Sequence, residues 1–244
     1  MIRQLETARQ GKPVSGLCAY LAPCKDRAYD PSVELRCHVS HEQGFLDLDL
    51  LLRLFRGRVL NAVVEVGDRF EGLMKSGTAF DVAWNQCSID LVQASRAHCY
   101  YVMLNNYCEG IQGFTDAGVK RVMTDVARLY ALQNLAEDFG SFDLTRTQRA
   151  CVRGAIRHEL QVIRPDLVAL TDAFEFPDNT LNSALGRHDG DVYNALFNAA
   201  KASPLNKIDP FPGYAEHLRP HLDLDFIADQ KTKQRQGLTA GPKL

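Results

Sequence analysis

Residues 185–197 read LGRHDGDVYNALF. Arg187, His188, Asp189 and Asp191 crowd there around Gly186 and Gly190. A histidine beside carboxylates is material for acid–base catalysis, the imidazole moving a proton and the carboxylate orienting it. The same residues also suit a clasp at the start of a helix. Gly186 and Gly190 open backbone angles closed to other residues. Asp189 is placed to accept a first-turn amide, an N-cap worth about 1 kcal/mol, and Asp191 suits the helix dipole. Arg187 is free to tie the turn to a carboxylate elsewhere. The period of DVYNALFNAA turns Val192 and Leu196 inward, with Tyr193 and Phe197 beside them. Only His188 is left without a structural task. The clasp is therefore the preferred reading, and no catalytic role is assigned here.

Other reactive side chains meet a similar fate. His98 falls on the apolar side of a helical pattern, where a hydrogen-bonded core histidine is expected. The stretch NNYCEG (Asn105, Asn106, Tyr107, Glu109) is polar and could line a cleft for a nucleotide with Tyr101, but a helix end at Gly110 accounts for it equally well. Glu71 and Glu109 each precede a glycine, which indicates helix-end chemistry and nothing more. Cys18, Cys24, Cys37 and His38 do not have the spacing of paired zinc ligands, so no metal is expected. No phosphate-cradling glycine loop or nucleophile elbow occurs.

The elements carrying these residues are helical. Apolar positions recur at steps of three, four and seven from Ala83 to Ile111 (Trp84, Leu91, Ser95, His98, Val102, Cys108). A second stripe runs from Ala117 to Phe139 (Val119, Val122, Val126, Leu129, Leu132, Leu135, Phe139), with Lys120, Arg121, Asp125 and Arg128 on its polar side. A third spans Thr145 to Ala169 (Val152, Ile156, Leu160, Ile163, Leu167), and Pro165 predicts a break near Arg164. Leu46 to Ser76 forms a fourth candidate, weakened by Gly57, Gly67 and Gly72. The chain start is helical to about Gln10, and residues 22–44 read as loop. No alternating strand pattern appears. Short connections make the long helices antiparallel neighbours, so the fold class expected is all-α, an antiparallel bundle of about four long helices plus shorter C-terminal ones.

The chain has 244 residues, 45% of them hydrophobic, and a formal net charge of −2. That supports one good core and gives no overall field toward nucleic acid or an acidic membrane surface. No apolar run is long enough for a transmembrane helix, and MIRQLETARQGK lacks the apolar region of an export signal. The seven cysteines are odd in number, and without an export signal they read as small buried thiols.

Three separated stretches carry a family resemblance. DLVALTDAFEFPDNTLNSALGRHDGDVYNALFNAAKASPLNK (166–207) resembles the C-terminal signature of peroxisomal acyl-CoA oxidases. Asp172, Phe174, Gly186, Arg187, Asp189, Gly190 and Tyr193 are among the matching positions, and their part is read as structural. AWNQCSIDLVQASRAHCYYV (83–102) and GKPVSGLCAYL (11–21) are similar to two further family motifs. The likeness covers about residues 1–210. It implies FAD-dependent oxidation of fatty acyl-CoA to trans-2-enoyl-CoA in peroxisomal β-oxidation. A glutamate takes the α proton, the flavin takes the β hydrogen as hydride, and dioxygen reoxidises the flavin to give hydrogen peroxide.

In the family, that glutamate sits in a T-Y-E-G-D-like motif upstream of the point matched by Met1. FEGLM and CEGIQ do not match it, so the role is not carried to Glu71 or Glu109. No catalytic, cofactor-binding or metal residue is assigned. The resemblance implies that residues 45–210 are the supporting helical domain, preceded by a helix end and loop (1–44) and followed by a Pro-rich, partly disordered tail (211–244). This chain alone is expected to be inactive, as a piece of an oxidase or a truncated product. Its expected partners are a second copy or a full-length oxidase, and a non-enzymatic regulatory subunit is the alternative. The final Pro242, Lys243 and Leu244 resemble a peroxisomal import signal, read by a receptor as a free carboxylate, a lysine and a leucine.

Overall fold

The computed structural model describes residues 1–208, 210, 212–222, 228 and 231–233. Among them every regular element is helical. Ten α-helices follow in order: α1 (Ile2–Arg9), α2 (Leu48–Lys75), α3 (Phe80–Gln86), α4 (Ser88–Ile111), α5 (Ala117–Glu137), α6 (Arg146–Ile163), α7 (Leu167–Asp172), α8 (Asp178–Leu181), α9 (Val192–Ala202) and α10 (Arg219–Leu222). The all-α expectation is met, with α2, α4, α5 and α6 as the long members. The chain forms two compact units, Met1–Val168 and Ala169–Leu244.

In the first unit α2 is the shared wall of two apolar clusters. Its first half contributes Leu50, Leu51, Leu54 and Phe55 to a cluster with Leu104 of α4, Leu132 and Leu135 of α5, and Val152 and Ala155 of α6. Its second half packs Val59, Leu60, Val63 and Val66 against Leu5 and Ala8 of α1 and Ala94 and Ala97 of α4. The start of α2 thus meets the end of α4, and its end meets the start of α4, which makes the two antiparallel. The glycines that weaken this helix on propensity grounds are points of close approach. A Cβ on Gly57 would stand 2.7 Å from Glu34 Cβ, and one on Gly67 would stand 2.5 Å from Leu5 Cδ2.

Helix starts follow capping chemistry. Asp47 accepts the Asp49 amide at 3.0 Å and Asp116 the Val119 amide at 2.8 Å. Thr145 and Gln148 close a capping box at α6. Gln148 also donates to the carbonyls of Cys37 and Val39 at 2.6 and 3.2 Å, pinning the preceding segment onto α6. That segment departs from the loop expected at 22–44. It contains short 3₁₀ turns at Gly16–Lys25, Pro31–Leu35 and Glu42–Leu46, held by side-chain bonds such as Asp30 to the Ser32 amide.

Three helical faces differ from the sequence reading. The run expected from Ala83 is broken at Cys87, whose amide is shared between the Ala83 and Trp84 carbonyls. The buried side of α4 is Ala94, Ala97, Leu104 and Ile111, while Trp84 is exposed. The 83–103 stretch is apolar on both sides, so periodicity could not choose between them. In α5 the burial of Asp125 places a supposedly polar position inside. Asp125 accepts Arg128 at 2.9 Å and Arg121 at 3.3 Å, and Arg128 donates onward to the Leu46 carbonyl at 2.7 Å. Val119 is exposed instead. In α6 the interior side is Gln148, Val152, Ala155, Glu159 and Ile163, and Leu160 faces out. Pro165 acts as expected: α6 ends at Ile163 and a 3₁₀ turn follows from Arg164. All seven cysteines are free, and no helix among the described residues is long and apolar enough to cross a membrane.

Glu159 is 1% exposed and its Oε2 has no hydrogen-bond partner. Burial, then the nearby Asp125 carboxylate, push its carboxyl above the ordinary value of 4.5. A group whose value rises on folding holds its proton more tightly in the folded state. Stability is therefore full below the unfolded value and falls as pH climbs through the folded one. Thermal melts from pH 4 upward should show wild type losing stability relative to Glu159→Gln; parallel curves would contradict this. Gly57→Ala should cost about 1–3 kcal/mol by forcing Glu34 aside. Gly72→Ala, with nothing within 4 Å of the new Cβ, should stabilise by about 0.5–1 kcal/mol. Chemical denaturation of the two variants checks the pair.

Candidate functional site

The 185–197 stretch lies in the second unit and is a clasp whose members bond mainly to one another. Gly190 adopts φ 70°, a left-handed conformation that suits glycine, and its amide bonds back to the Arg187 carbonyl at 3.2 Å. Arg187 grips Asp189 with two guanidinium nitrogens, Nε to Oδ1 at 3.0 Å and Nη2 to Oδ2, the fork geometry of a strong ion pair. Asp189 Oδ1 also accepts the Asp191 amide at 3.0 Å. These bonds, the Arg187 fork first, hold the Asp189 carboxyl down to about 2.

The clasp differs from the sequence reading in three ways. α9 starts at Val192 with Asp191 in the N-cap position, so Asp189 braces the turn before the helix instead of capping it. Arg187 finds its carboxylate two residues away. His188, left over on sequence grounds, is anchored as well. Its amide donates to Asp178 Oδ1 at 3.0 Å, and its Nδ1 lies 3.7 Å from Asp172 Oδ1. Asp178 is a matching position of the family signature, but across ten residues of separation the sequence gives no signal that it takes the His188 amide.

The apolar members of the signature are not inside. Phe174, Leu185, Tyr193 and Phe197 are exposed, Tyr193 at 87%, which overturns the inward placement of Tyr193, Leu196 and Phe197. Phe174 and Phe176 stack on each other at 6.1 Å. None of the described residues of this unit is buried. The clasp thus shapes a surface of aromatic and aliphatic side chains, and its polar groups are consumed in holding that shape.

In the first unit the other candidates are structurally satisfied. The Tyr20 hydroxyl and His98 Nδ1 lie 2.9 Å apart. Burial raises the Tyr20 hydroxyl and lowers His98, so a neutral phenol and a neutral, half-buried imidazole share this bond. Asn105 donates to Glu109 at 2.7 Å and Tyr101 sets its ring edge-on to Tyr20, leaving those polar groups engaged with one another. Glu71 is bound by Lys75 at 2.6 Å, Arg9 at 3.3 Å and Arg27 at 3.4 Å. Lys75 foremost, and then Arg27, lower its carboxyl, which suits a permanent anion and not a base. Among the described residues no group of three or more His, Cys, Asp or Glu could hold a metal.

A groove of about 600 Å³ runs along the outer side of α4, lined by Trp84, Leu91, Val92, Ser95, Arg96 and Tyr100 among others. Phe80 stacks on Trp84 at 5.9 Å beside it, and Val92 is 60% exposed. One guanidinium, Arg96, borders this apolar surface. A dinucleotide carrying two phosphates asks for several N–H donors or a helix N-terminus aimed at them. These residues therefore do not by themselves make a flavin site.

Substitution of Arg187 tests the clasp. In Arg187→Gln the Asp189 carboxyl should return from about 2 to the ordinary carboxylate range, and the Asp191 amide should exchange faster with solvent. Carboxyl-carbon NMR titration and hydrogen exchange read the two effects. An unchanged titration would show that the fork does not hold the turn.

Comparison with known proteins places these features. The family model for acyl-CoA oxidase matches residues 47–223. Peroxisomal acyl-coenzyme A oxidase 1 of Rattus norvegicus is 34% identical over 227 residues, covering 90% of this chain and 34% of its own length. The Phascolarctos cinereus protein of the same name is 32% identical with the same coverage. Acyl-CoA oxidase 1 of Arabidopsis thaliana superposes with a TM-score of 0.75 at 28% identity, over 92% of this chain and 34% of that one. Acyl-CoA oxidase-2 of Caenorhabditis elegans, bound with FAD, ascaroside-CoA and ATP, gives 0.75 at 28% identity, over 99% of this chain and 33% of that one. The chain spans about a third of the length of these relatives. A family match over most of the chain, joined to the same helical architecture, means that this protein belongs to the acyl-CoA oxidase family.

Proposed function

We propose that this chain is the supporting helical part of an acyl-CoA oxidase, whose activity is FAD-dependent oxidation of fatty acyl-CoA to trans-2-enoyl-CoA with formation of hydrogen peroxide in peroxisomal β-oxidation. The observation that carries this reading is the second unit. It holds the signature residues in an ordered clasp, yet its described residues enclose no interior. Asp172, Arg187, Asp189 and Gly190 build the turn, and Phe174 and Tyr193 offer apolar surface to a covering partner. Residues 45–210 form the family's helical body and 211–244 its tail. Pro242, Lys243 and Leu244 lie outside the described residues; on sequence they direct the chain to the peroxisome through an import receptor.

The 244 residues assayed alone are inactive on this reading. The two glutamates that precede glycine are committed, Glu71 to its three cations and Glu109 to Asn105, and the α4 groove lacks the donors a flavin needs. The exposed faces around Trp84 and around Tyr193 also favour a second reading. Here the chain is a non-enzymatic partner, pairing with a second copy or with a full-length oxidase and regulating it.

Purified chain mixed with FAD and palmitoyl-CoA should stay colourless after desalting and release no hydrogen peroxide. Robust turnover would reject the supporting role. Co-purification with a full-length oxidase, with a change in that enzyme's rate and no intrinsic turnover, would select the regulatory reading.

A further inference from the structure

The net charge of −2 averages over a local row of cations. Arg146, Arg149, Arg153 and Arg157 lie on α6, and Arg164 follows its last residue. Their steps of three, four, four and seven fall on one side of a 3.6-residue helix. The opposite side is buried in the bundle, so the row points outward. Arg149 is partly exposed and the other four are exposed. The row extends about 27 Å. The one acid of α6 is Glu159, which is buried on the far side. Among the described residues, no ion pair joins any of these arginines to a carboxylate. Arg149 and Arg153 instead lie over the Phe139 ring, 5.6 and 5.3 Å from its centre, which orients them without neutralising them.

Like charges three and four residues apart on a helix repel, and the Glu42 carboxylate packed against Gly154 makes no ion pair with the row, so the row still takes countercharge from outside the chain. We propose that the outer face of α6 is an electrostatic docking surface for an anionic lipid bilayer, met peripherally. A straight helix face is tangent to a plane along its length, so the four exposed guanidiniums meet the headgroups together, while Arg149, only partly exposed, keeps its Nε on the Leu144 carbonyl at 2.9 Å. Lipids diffuse to the cations and impose no register, whereas an acidic helix would have to match the same spacing. The rest of the chain carries the balancing excess of acid. Leu160, 53% exposed between Arg157 and Arg164, gives the row an apolar side chain to set among the headgroups.

The test is co-sedimentation of the full chain with vesicles at low salt. Vesicles of phosphatidylcholine with 30% phosphatidylserine should bind it, and pure phosphatidylcholine should not. Arg153→Gln with Arg157→Gln should weaken partitioning about thirtyfold. Arg153→Lys with Arg157→Lys should retain most of it. Arg3→Gln with Lys12→Gln, which removes the same charge from the distant α1 region, should change it little. Circular dichroism melts confirm that each variant is folded. Equal binding to neutral vesicles, equal losses in both glutamine variants, or tighter binding to polyglutamate or duplex DNA than to the anionic vesicles would overturn the proposal.

Discussion

The burial of one long helix governs the first unit. α2 presents apolar side chains to both clusters, and no other helix touches α1, α4 and the 3₁₀ segments while spanning that whole length. Burying a leucine, valine or phenylalanine side chain stabilises by about 1.5–3 kcal/mol, and α2 buries a continuous series of them. Loss of contact at either end would therefore release a whole cluster. Gly57 and Gly67 make this possible by letting Glu34 and Leu5 approach the helix axis more closely than any side chain would allow.

Polar anchors then fix what the apolar clusters leave free. Arg58 reaches Asp138 at 2.6 Å from between the Tyr100 and Phe142 rings, tying α2 to the end of α5. Arg128 and Gln148 bind carbonyls of the segment before α2, so that a stretch poor in regular structure becomes part of the wall. Such bonds are directional, and they set orientation where hydrophobic burial is indifferent to it. Glu159 is an exception, a buried carboxyl whose Oε2 has no bond, and it gives this part of the molecule its dependence on pH.

The second unit follows a different logic. Its order comes from backbone turns, Asx-type bonds and one Arg–Asp fork, with apolar side chains left outside. A segment organised in this way has a defined shape before it has a core. That is the physical content of the proposal that it serves a larger oxidase assembly.

The sequence alone determined the helical class, the extents of α2, α5 and α6 to within a few residues, the stop at Pro165, and membership of the oxidase family through motifs at three places. Those features depend on local chemistry: capping residues, the 3.6 period, the missing proline donor and side-chain identity. Only the tertiary structure decided which side of α4 is buried, because Ala94 and Ala97 face the core while the larger Trp84 and Val92 lie outside. It also decided that Asp125 is interior, since its partner Arg128 answers to the Leu46 carbonyl 82 residues away. In the clasp the glycine turn was legible, but the choice of Asp178 for the His188 amide was not. These outcomes depend on which distant groups arrive at the same point in space, and a linear spacing rule carries no information about that.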